Sequence, residues 1–270
     1  MFPPFRSFLV CLTAVASLLG CGASETLGGD GGEGGHGGAP DPQPLSTPLS
    51  IFEYDPFATP PRLYVPIQGA RVCELDSDNC VTSDTDGNAV IDLPARQETG
   101  FTIEKEGYGS WLYANVTDEN FFQYGDRPYT IALMSNEQLA VIANDLQTPY
   151  PWQGGVALFQ RWYPTVGVKF VPVGPTADLV GPAFYLDVAA MTYRLELNAT
   201  TSGLETGEMP LGQGGFVEVE PGVHQFELTG DMEGCYVTSW GWPGDAPNRF
   251  RIPVREGYRT YGSIRCEDSY

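Results

Sequence analysis

An all-β chain of two tandem β-sandwich modules, with one short helix between them and a disordered N-terminal tether, is the architecture this sequence predicts. Three observations predict it. Glycine and proline are abundant, at 33 and 23 residues of 270, and only 18% of residues are charged, which favours short strands and many turns over long helices. Apolar and polar residues alternate with period two in runs such as 89–93, 101–106 and 249–255. A pattern laid down between Gly69 and Tyr108 returns, altered, between Gly167 and Leu228.

The chain begins with a targeting signal. Arg6 supplies a short positive region, and Phe8 to Leu19 is apolar but too short to cross a bilayer as a helix. Leu18-Leu19-Gly20-Cys21 follows, and it resembles the bacterial lipobox, in which the signal is cut before the cysteine and the thiol is acylated. Residues 1–20 are therefore read as a lipoprotein signal peptide and Cys21 as the lipidation site. Acyl chains contribute about 0.8 kcal/mol per buried CH₂, so several chains hold a protein to a membrane. Gly22, rather than an aspartate, follows the cysteine; by resemblance to lipoprotein sorting signals this points to the outer membrane.

Residues 21–48 read as the lipidated cysteine and its tether. Nine glycines fall between Gly22 and Gly38, and Pro40, Pro42, Pro44 and Pro48 follow. Such a composition buries too little apolar surface to fold and spans about 30 Å as a coil. His36 within it is a spacer residue. The segment from Ile51 to Pro66, with Phe52, Tyr54, Phe57 and Tyr64 among its prolines, reads as an extended lead-in packed on the first module.

The first module is assigned to residues 49–118. Gly69 to Cys73 reads as a strand, Asp76 to Asn79 as a turn, and Cys80 to Ser83 as a returning strand. Asp86-Gly87-Asn88 is hairpin-turn chemistry. Ala89, Ile91 and Leu93 then alternate with Val90 and Asp92, and Phe101 and Ile103 with Thr102, Glu104 and Glu106, as one buried and one wet face. Trp111, Tyr113 and Val116 continue the pattern. Together G-A-R-V, S-D-T-D-G-N-A-V-I-D-L-P and F-T-I-E-K-E-G-Y resemble the carboxypeptidase regulatory-like domain over roughly residues 66–117. That resemblance implies a transthyretin-like sandwich of about seven strands, found as a non-catalytic accessory module of secreted and surface proteins.

Residues 119–152 read as a linker with a short helix. Ser135 and Gln138 form a capping-box pattern, and Leu139, Ile142 and Leu146 follow at helical spacing, predicting a helix over Asn136–Asp145. Residues 153–270 read as a second, diverged sandwich. Its departure from the first is an insertion at 174–202, holding two strand-like runs, Ala183–Val188 and Tyr193–Asn198.

Export places the cysteines in an oxidising compartment. Beyond Cys11 in the signal and Cys21, four remain: Cys73, Cys80, Cys235 and Cys266. An even number implies two disulfides. Three pairings are open; Cys73–Cys80 with Cys235–Cys266 keeps each pair within one module and is the expectation. Closing the shorter loop contributes on the order of 2 kcal/mol. A zinc site is the competing reading, and it lacks a C-x₂-C spacing or a histidine partner.

Formal net charge is −20, and the only lysines are Lys105 and Lys169. Such a chain has no phosphate-neutralising stripe, which excludes nucleic acid as a partner class. Calcium is a candidate cofactor through Asp76, Asp78, Asp84 and Asp86, but the bidentate acid of an EF-hand loop is missing, Leu93 standing in its place. The competing explanation is turn chemistry on an acidic protein, and no other cofactor is indicated. Glycan binding is a candidate through exposed tryptophans, foremost Trp240 and Trp242 with Asp245 and Asn248 as polar partners; Trp111, Tyr113, Trp152, Trp162 and Tyr163 are further aromatics for such a surface. For catalysis the mature chain offers only His36 and His224, and no G-x-S-x-G or H-E-x-x-H. The expectation is a non-enzymatic, membrane-anchored envelope lipoprotein that binds or scaffolds, with a glycan or an envelope protein as its partner. The sequons at Asn115 and Asn198 read as chance in a bacterial chain.

Overall fold

The computed structural model describes residues 43–55, 62–117, 128–152, 154–161, 168–187, 192–195, 204–205, 213–230, 235–237 and 241–266. Cys21, expected as the lipidation site, residues 22–42 of the expected tether, and Trp162, Tyr163 and Trp240 lie outside them. Within them the chain is all-β with one α-helix and one short 3₁₀ turn.

In chain order the first half supplies β1 Leu45–Asp55, β2 Arg62–Pro66, β3 Arg71–Glu74, β4 Cys80–Thr82, β5 Asn88–Leu93, β6 Glu98–Glu104, β7 Ser110–Val116 and β8 Tyr129–Leu133. Helix α1, Asn136–Asp145, follows. The second half supplies β9 Gly155–Arg161, β10 Val168–Val173, β11 Ala183–Asp187, β12 Thr192–Leu195, β13 Leu204–Glu205, β14 Gln213–Val219, β15 Gly222–Gly230, β16 Cys235–Val237, β17 Trp242–Pro243, β18 Arg249–Val254 and β19 Tyr258–Cys266.

The two halves repeat one topology. In the first, β1 pairs antiparallel with β5 and parallel with β8. In the second, β9 pairs antiparallel with β14 and parallel with β19. Facing these triplets, β4-β3-β6-β7 are successive neighbours in the first half and β13-β10-β15-β18 in the second. Each half is thus a sandwich built from seven corresponding strands. The insertion at 174–202 carries the 3₁₀ turn Ala177–Leu179 and the strands β11 and β12, which extend the edge beside β14.

The halves are not beads on a linker. β7, at the edge of the first four-stranded layer, pairs parallel with β19, at the edge of the second three-stranded layer. The result is one ten-stranded sheet running through both halves, with a smaller sheet on each side of it. An open strand edge invites pairing with another chain, and here two edges cover each other. Successive residues of β19 serve different cores, as the period of two requires. Tyr261 packs beside Tyr113 at 5.6 Å between ring centres, while Thr260 is fully buried and donates to Pro253 O at 2.9 Å.

Two cores result. Leu49, Ile51, Val72, Ile91, Leu93, Phe101, Ile103 and Ile131 are buried in the first, and Phe170, Phe216, Phe226, Phe250 and Ile252 in the second. Fully burying such a side chain stabilises by roughly 1.5–3 kcal/mol. Helix α1 forms as expected, with Ser135 Oγ accepting from Gln138 N and Gln138 Oε1 accepting from Ser135 N. Its apolar side, Leu139, Ile142 and Ala143, packs with Trp152, Phe184 and Val217 into a third cluster.

Several expectations are corrected. β1 starts at Leu45, inside the stretch assigned to the tether, because Leu45 to Ser50 align opposite Leu93 to Asn88. The lead-in Ile51 to Pro66 is instead the interior strand β1 with β2 folded back on it. Asp86-Gly87-Asn88 does form a tight turn: Asp84 Oδ1 accepts from the backbone N–H of Asp86 and of Asn88, both at 2.9 Å. Yet it joins no hairpin. β4 pairs with β3 and β5 with β1, so the turn is an arch crossing from one layer to the other. Gly87 is required there: its φ is +78°, and a Cβ would come within 2.3 Å of Ile51 O. Finally, β6 has no wet face along most of its length: Thr99 and Thr102 are buried as well as Phe101 and Ile103, and β7 is likewise buried on both sides.

Candidate functional site

Of the sequence-derived site residues, Trp242 and Asp76 lie on the seam between the halves, where a row of polar contacts forms. Three cationic or hydroxyl side chains of β18, β19 and the turn between them meet three acids of the first half. Arg251 pairs with Glu98, Arg255 Nη2 lies 2.5 Å from Asp76 Oδ1, and the Tyr258 hydroxyl donates to Glu104. Backbone bonds add to the row, with Gly241 N donating to Ala114 O at 2.8 Å. Exposed ion pairs of this sort contribute about 0–1 kcal/mol each, so the seam's stability rests on the β7–β19 ladder and on burial. At its centre Arg259, itself buried, lies over the Trp111 ring at 4.5 Å, a desolvated cation–π contact.

Trp242 belongs to this seam. Its indole is half-buried, its Nε1–H donates to Thr99 O at 2.7 Å, and Arg251 sits over the ring at 5.9 Å. Asp245 accepts from Gln225 Nε2 and pairs with Arg249, while Asn248 Nδ2 donates to Leu228 O. These three residues, grouped from sequence as ligand contacts, therefore brace β15, β18 and the β6 strand of the other half. Trp111, Tyr113 and Trp152, also read as surface aromatics, are core residues. A run of alternating aromatics looks the same in sequence whether solvent or a second sheet covers it.

The aspartates do not gather. Asp84 is occupied by backbone N–H groups and Asp76 by Arg255. Among the described residues no group of three or more His, Cys, Asp or Glu comes together to hold a metal ion. Cys73 and Cys80 are disulfide-bonded. Cys235 and Cys266 stand directly opposite each other in the β16–β19 register. His224 is buried within β15, with Nε2 2.7 Å from Glu220 O, and is a core residue. Asn115 and Thr117 of the first sequon are fully buried and bonded to each other, closing that site to a glycan in the folded chain.

One exposed aromatic surface was not singled out from sequence. The β1–β2 register slips between Glu53 and Tyr54, leaving Tyr64 as the extra residue. Tyr64 has φ +59°, a conformation that an aromatic L-residue rarely adopts, and is 66% exposed. Its ring rests on Phe52 at 4.7 Å and meets Tyr54 edge-on at 6.3 Å, so one face is turned to solvent. The signal in the sequence was the density of aromatics in residues 52–64; the bulge that aligns them depends on pairing.

The seam also sets an alkaline limit. Burial, then the hydrogen bond to Glu104, raises the Tyr258 hydroxyl to about 12 from its ordinary 10. Burial pushes Tyr113 well above the ordinary range as well. A raised folded value means that the native state keeps its proton while the unfolded chain loses it, so stability is full below pH 10 and falls between pH 10 and about 12. Tyr258→Phe is expected to shrink the fall in melting temperature across that window; an unchanged fall assigns the alkaline sensitivity to other groups.

No protein-family model matches the chain, and no curated protein matches it. Among solved structures, the chain is similar to the shaft pilin SpaA of Lactobacillus rhamnosus GG in a mutant form, at 9% identity over 84% of this chain and 100% of that one, with a TM-score of 0.24. It is similar to the minor pilin of Streptococcus agalactiae at 10% identity, over 83% of this chain and 98% of that one, with a TM-score of 0.25. A Bacillus anthracis TIE protein aligns at 10% identity over 83% of this chain and 35% of that one, with a TM-score of 0.23.

Proposed function

We propose that this is a non-catalytic scaffold of the bacterial cell envelope, held to a membrane by lipid on Cys21. The observation that carries the reading is the shared sheet: two sandwiches of one topology joined edge to edge by β7 and β19, with Trp242, Asp76 and the Arg251–Glu98 pair tying them across the seam. Such a body suits a part that keeps two surfaces at a fixed relation. The anchoring half of the reading rests on the lipobox-like Leu18-Leu19-Gly20-Cys21 and the glycine-rich stretch after it. The carboxypeptidase regulatory-like resemblance is compatible with an accessory module and rests on the motifs of residues 66–117. Expressed in a lipoprotein-processing bacterium fed a clickable fatty acid, the full chain is expected to carry label and to fractionate with membranes, and Cys21→Ser to lose both. An unlabelled wild-type chain removes the anchor.

A second reading, glycan binding, is favoured by one observation, the exposed Tyr64 ring, tilted against Phe52 and carried on a strained backbone. Strained backbone is retained where surrounding structure over-determines it, often at ligand clamps. With a net charge of −20, a neutral saccharide suits the protein better than an anionic one. On an array of neutral polysaccharides, binding that disappears in Tyr64→Ala supports this reading; no binding by wild type ends it.

A further inference from the structure

The Cys73–Cys80 disulfide has surroundings that a structural staple does not need. Its two sulfurs belong to residues directly opposite each other in the β3–β4 ladder, seven positions apart in sequence. The loop they close is already closed by other bonds. Glu74 N donates to Asn79 O at 2.9 Å, and Asn79 Nδ2 donates to Glu74 Oε2 at 3.2 Å and to Asp92 O at 2.8 Å. Arg255 holds the loop from outside through Asp76. The two cysteines therefore stay face to face whether or not their sulfurs are joined. They also differ in access: Cys73 is buried, while Cys80, on the short edge strand, is half-exposed. The Arg71 guanidinium meets the accessible sulfur, with Nη2 3.1 Å from Cys80 Sγ, and its other terminal nitrogen lies 3.6 Å from Glu104 Oε2.

We propose that Cys73–Cys80 is a reversible thiol–disulfide exchange site for an external dithiol, with Cys80 the sulfur attacked and Arg71 the cation that holds its thiolate on release. In the first step a thiolate of the dithiol attacks Cys80 Sγ. A bond forms between the external sulfur and Cys80, the Cys80–Cys73 bond breaks, and Cys73 leaves with the electron pair and takes up a proton. In the second step the other thiolate of the dithiol attacks the external sulfur of the mixed disulfide. That closes the dithiol's own disulfide and releases Cys80 as a thiolate beside Arg71. Two electrons pass from the dithiol, which is oxidised, to the protein disulfide, which is reduced. A positive neighbour draws the incoming thiolate to Cys80 in the first step and makes Cys80 a better leaving group in the second, so Arg71 speeds the attack and shifts the equilibrium toward release. Because the loop keeps the thiols opposed, the reverse reaction needs no refolding.

The test treats the folded full chain with dithiothreitol, quenches by alkylation, and maps each cysteine by peptide mass, which separates this pair from Cys235 and Cys266. Wild type is expected to be reduced at Cys73 and Cys80 while its near-ultraviolet circular dichroism stays native. Arg71→Gln is expected to slow that reduction roughly threefold to tenfold, and Arg71→Lys to recover part of the rate. A monothiol is expected to leave its adduct on Cys80. The melting temperature of oxidised Arg71→Gln separates a chemical effect from a structural one: reduction slowed with melting unchanged supports the proposal. A pair that resists dithiothreitol until the protein unfolds, an adduct on Cys73, or Arg71→Gln reduced at the wild-type rate would each overturn it.

Discussion

Truncation after Gly257, which removes β19, is expected to unfold both halves of the protein and not the second alone. β19 is hydrogen-bonded to β7 on one side and to β9 on the other, and its far end pairs with β16. Its removal deprives the second sandwich of the strand that corresponds to β8 in the first. It also strips the covered edge of β7, unseats Arg259 from Trp111 and opens the first core beside Tyr113 and Tyr261. Losses of this kind add up to the whole stability of an ordinary domain, about 5–15 kcal/mol. The expected readout is loss of the cooperative melting transition, with hydrogen-exchange protection lost in β6 and β7 as well as in β9 and β14. Retained protection and a cooperative melt in β1 to β8 would show that the first half folds alone, and the scaffold reading would lose its main support.

Phe101→Ala is expected to have the largest effect of any single substitution in the first core. Phe101 is fully buried on β6, and its ring stacks on Tyr113 at 5.2 Å between centres. Truncating such a phenylalanine costs about 3–5 kcal/mol, because transfer energy is lost and the cavity closes only in part. The neighbours limit that closure: Ile103, Trp111 and Tyr113 are held in two-sided strands, with the second half packed on their far side. Urea denaturation followed by tryptophan fluorescence measures the cost. Since Trp242 reports from the seam, its signal is expected to shift to the same lower midpoint as that of the first core. A cost under about 1 kcal/mol would mean that the core repacks, contrary to the packing described.

The fold was legible where one residue's neighbours in sequence decide its structure. The Ser135–Gln138 capping box placed the helix at Asn136–Asp145, since both partners lie within one turn. The alternation of Ala89, Ile91 and Leu93 with Asn88, Val90 and Asp92 placed β5 and its buried face. The 174–202 insertion was visible because it interrupted a repeated pattern. The site was less legible. Trp242, Asp245 and Asn248 were grouped as contacts for one ligand; Trp242 lies on β17 and the other two in the turn between β17 and β18. Their partners, Thr99, Arg249 and Leu228, are up to 143 positions away in the chain. Tyr64 was read only as one of several packing aromatics, because its exposure depends on a bulge that exists only once β1 and β2 pair.

The sequence by itself determined the all-β character, the internal repeat, and the cap and position of the helix. Each follows from period, turn chemistry or spacing over a few residues. The sequence left three disulfide pairings open, of which the structure shows Cys73–Cys80. Only the tertiary structure decided that β19 lies between β7 and β9, that the Asp86-Gly87-Asn88 turn crosses between layers, and that β6 and β7 are buried on both faces. The physical reason is common to all three. Strand alternation marks a face as apolar or polar but does not say which strand lies alongside or what covers the other side. A strand of mixed threonine and aromatic residues such as Glu98–Glu104 suits a surface and an interior alike until a second sheet closes over it.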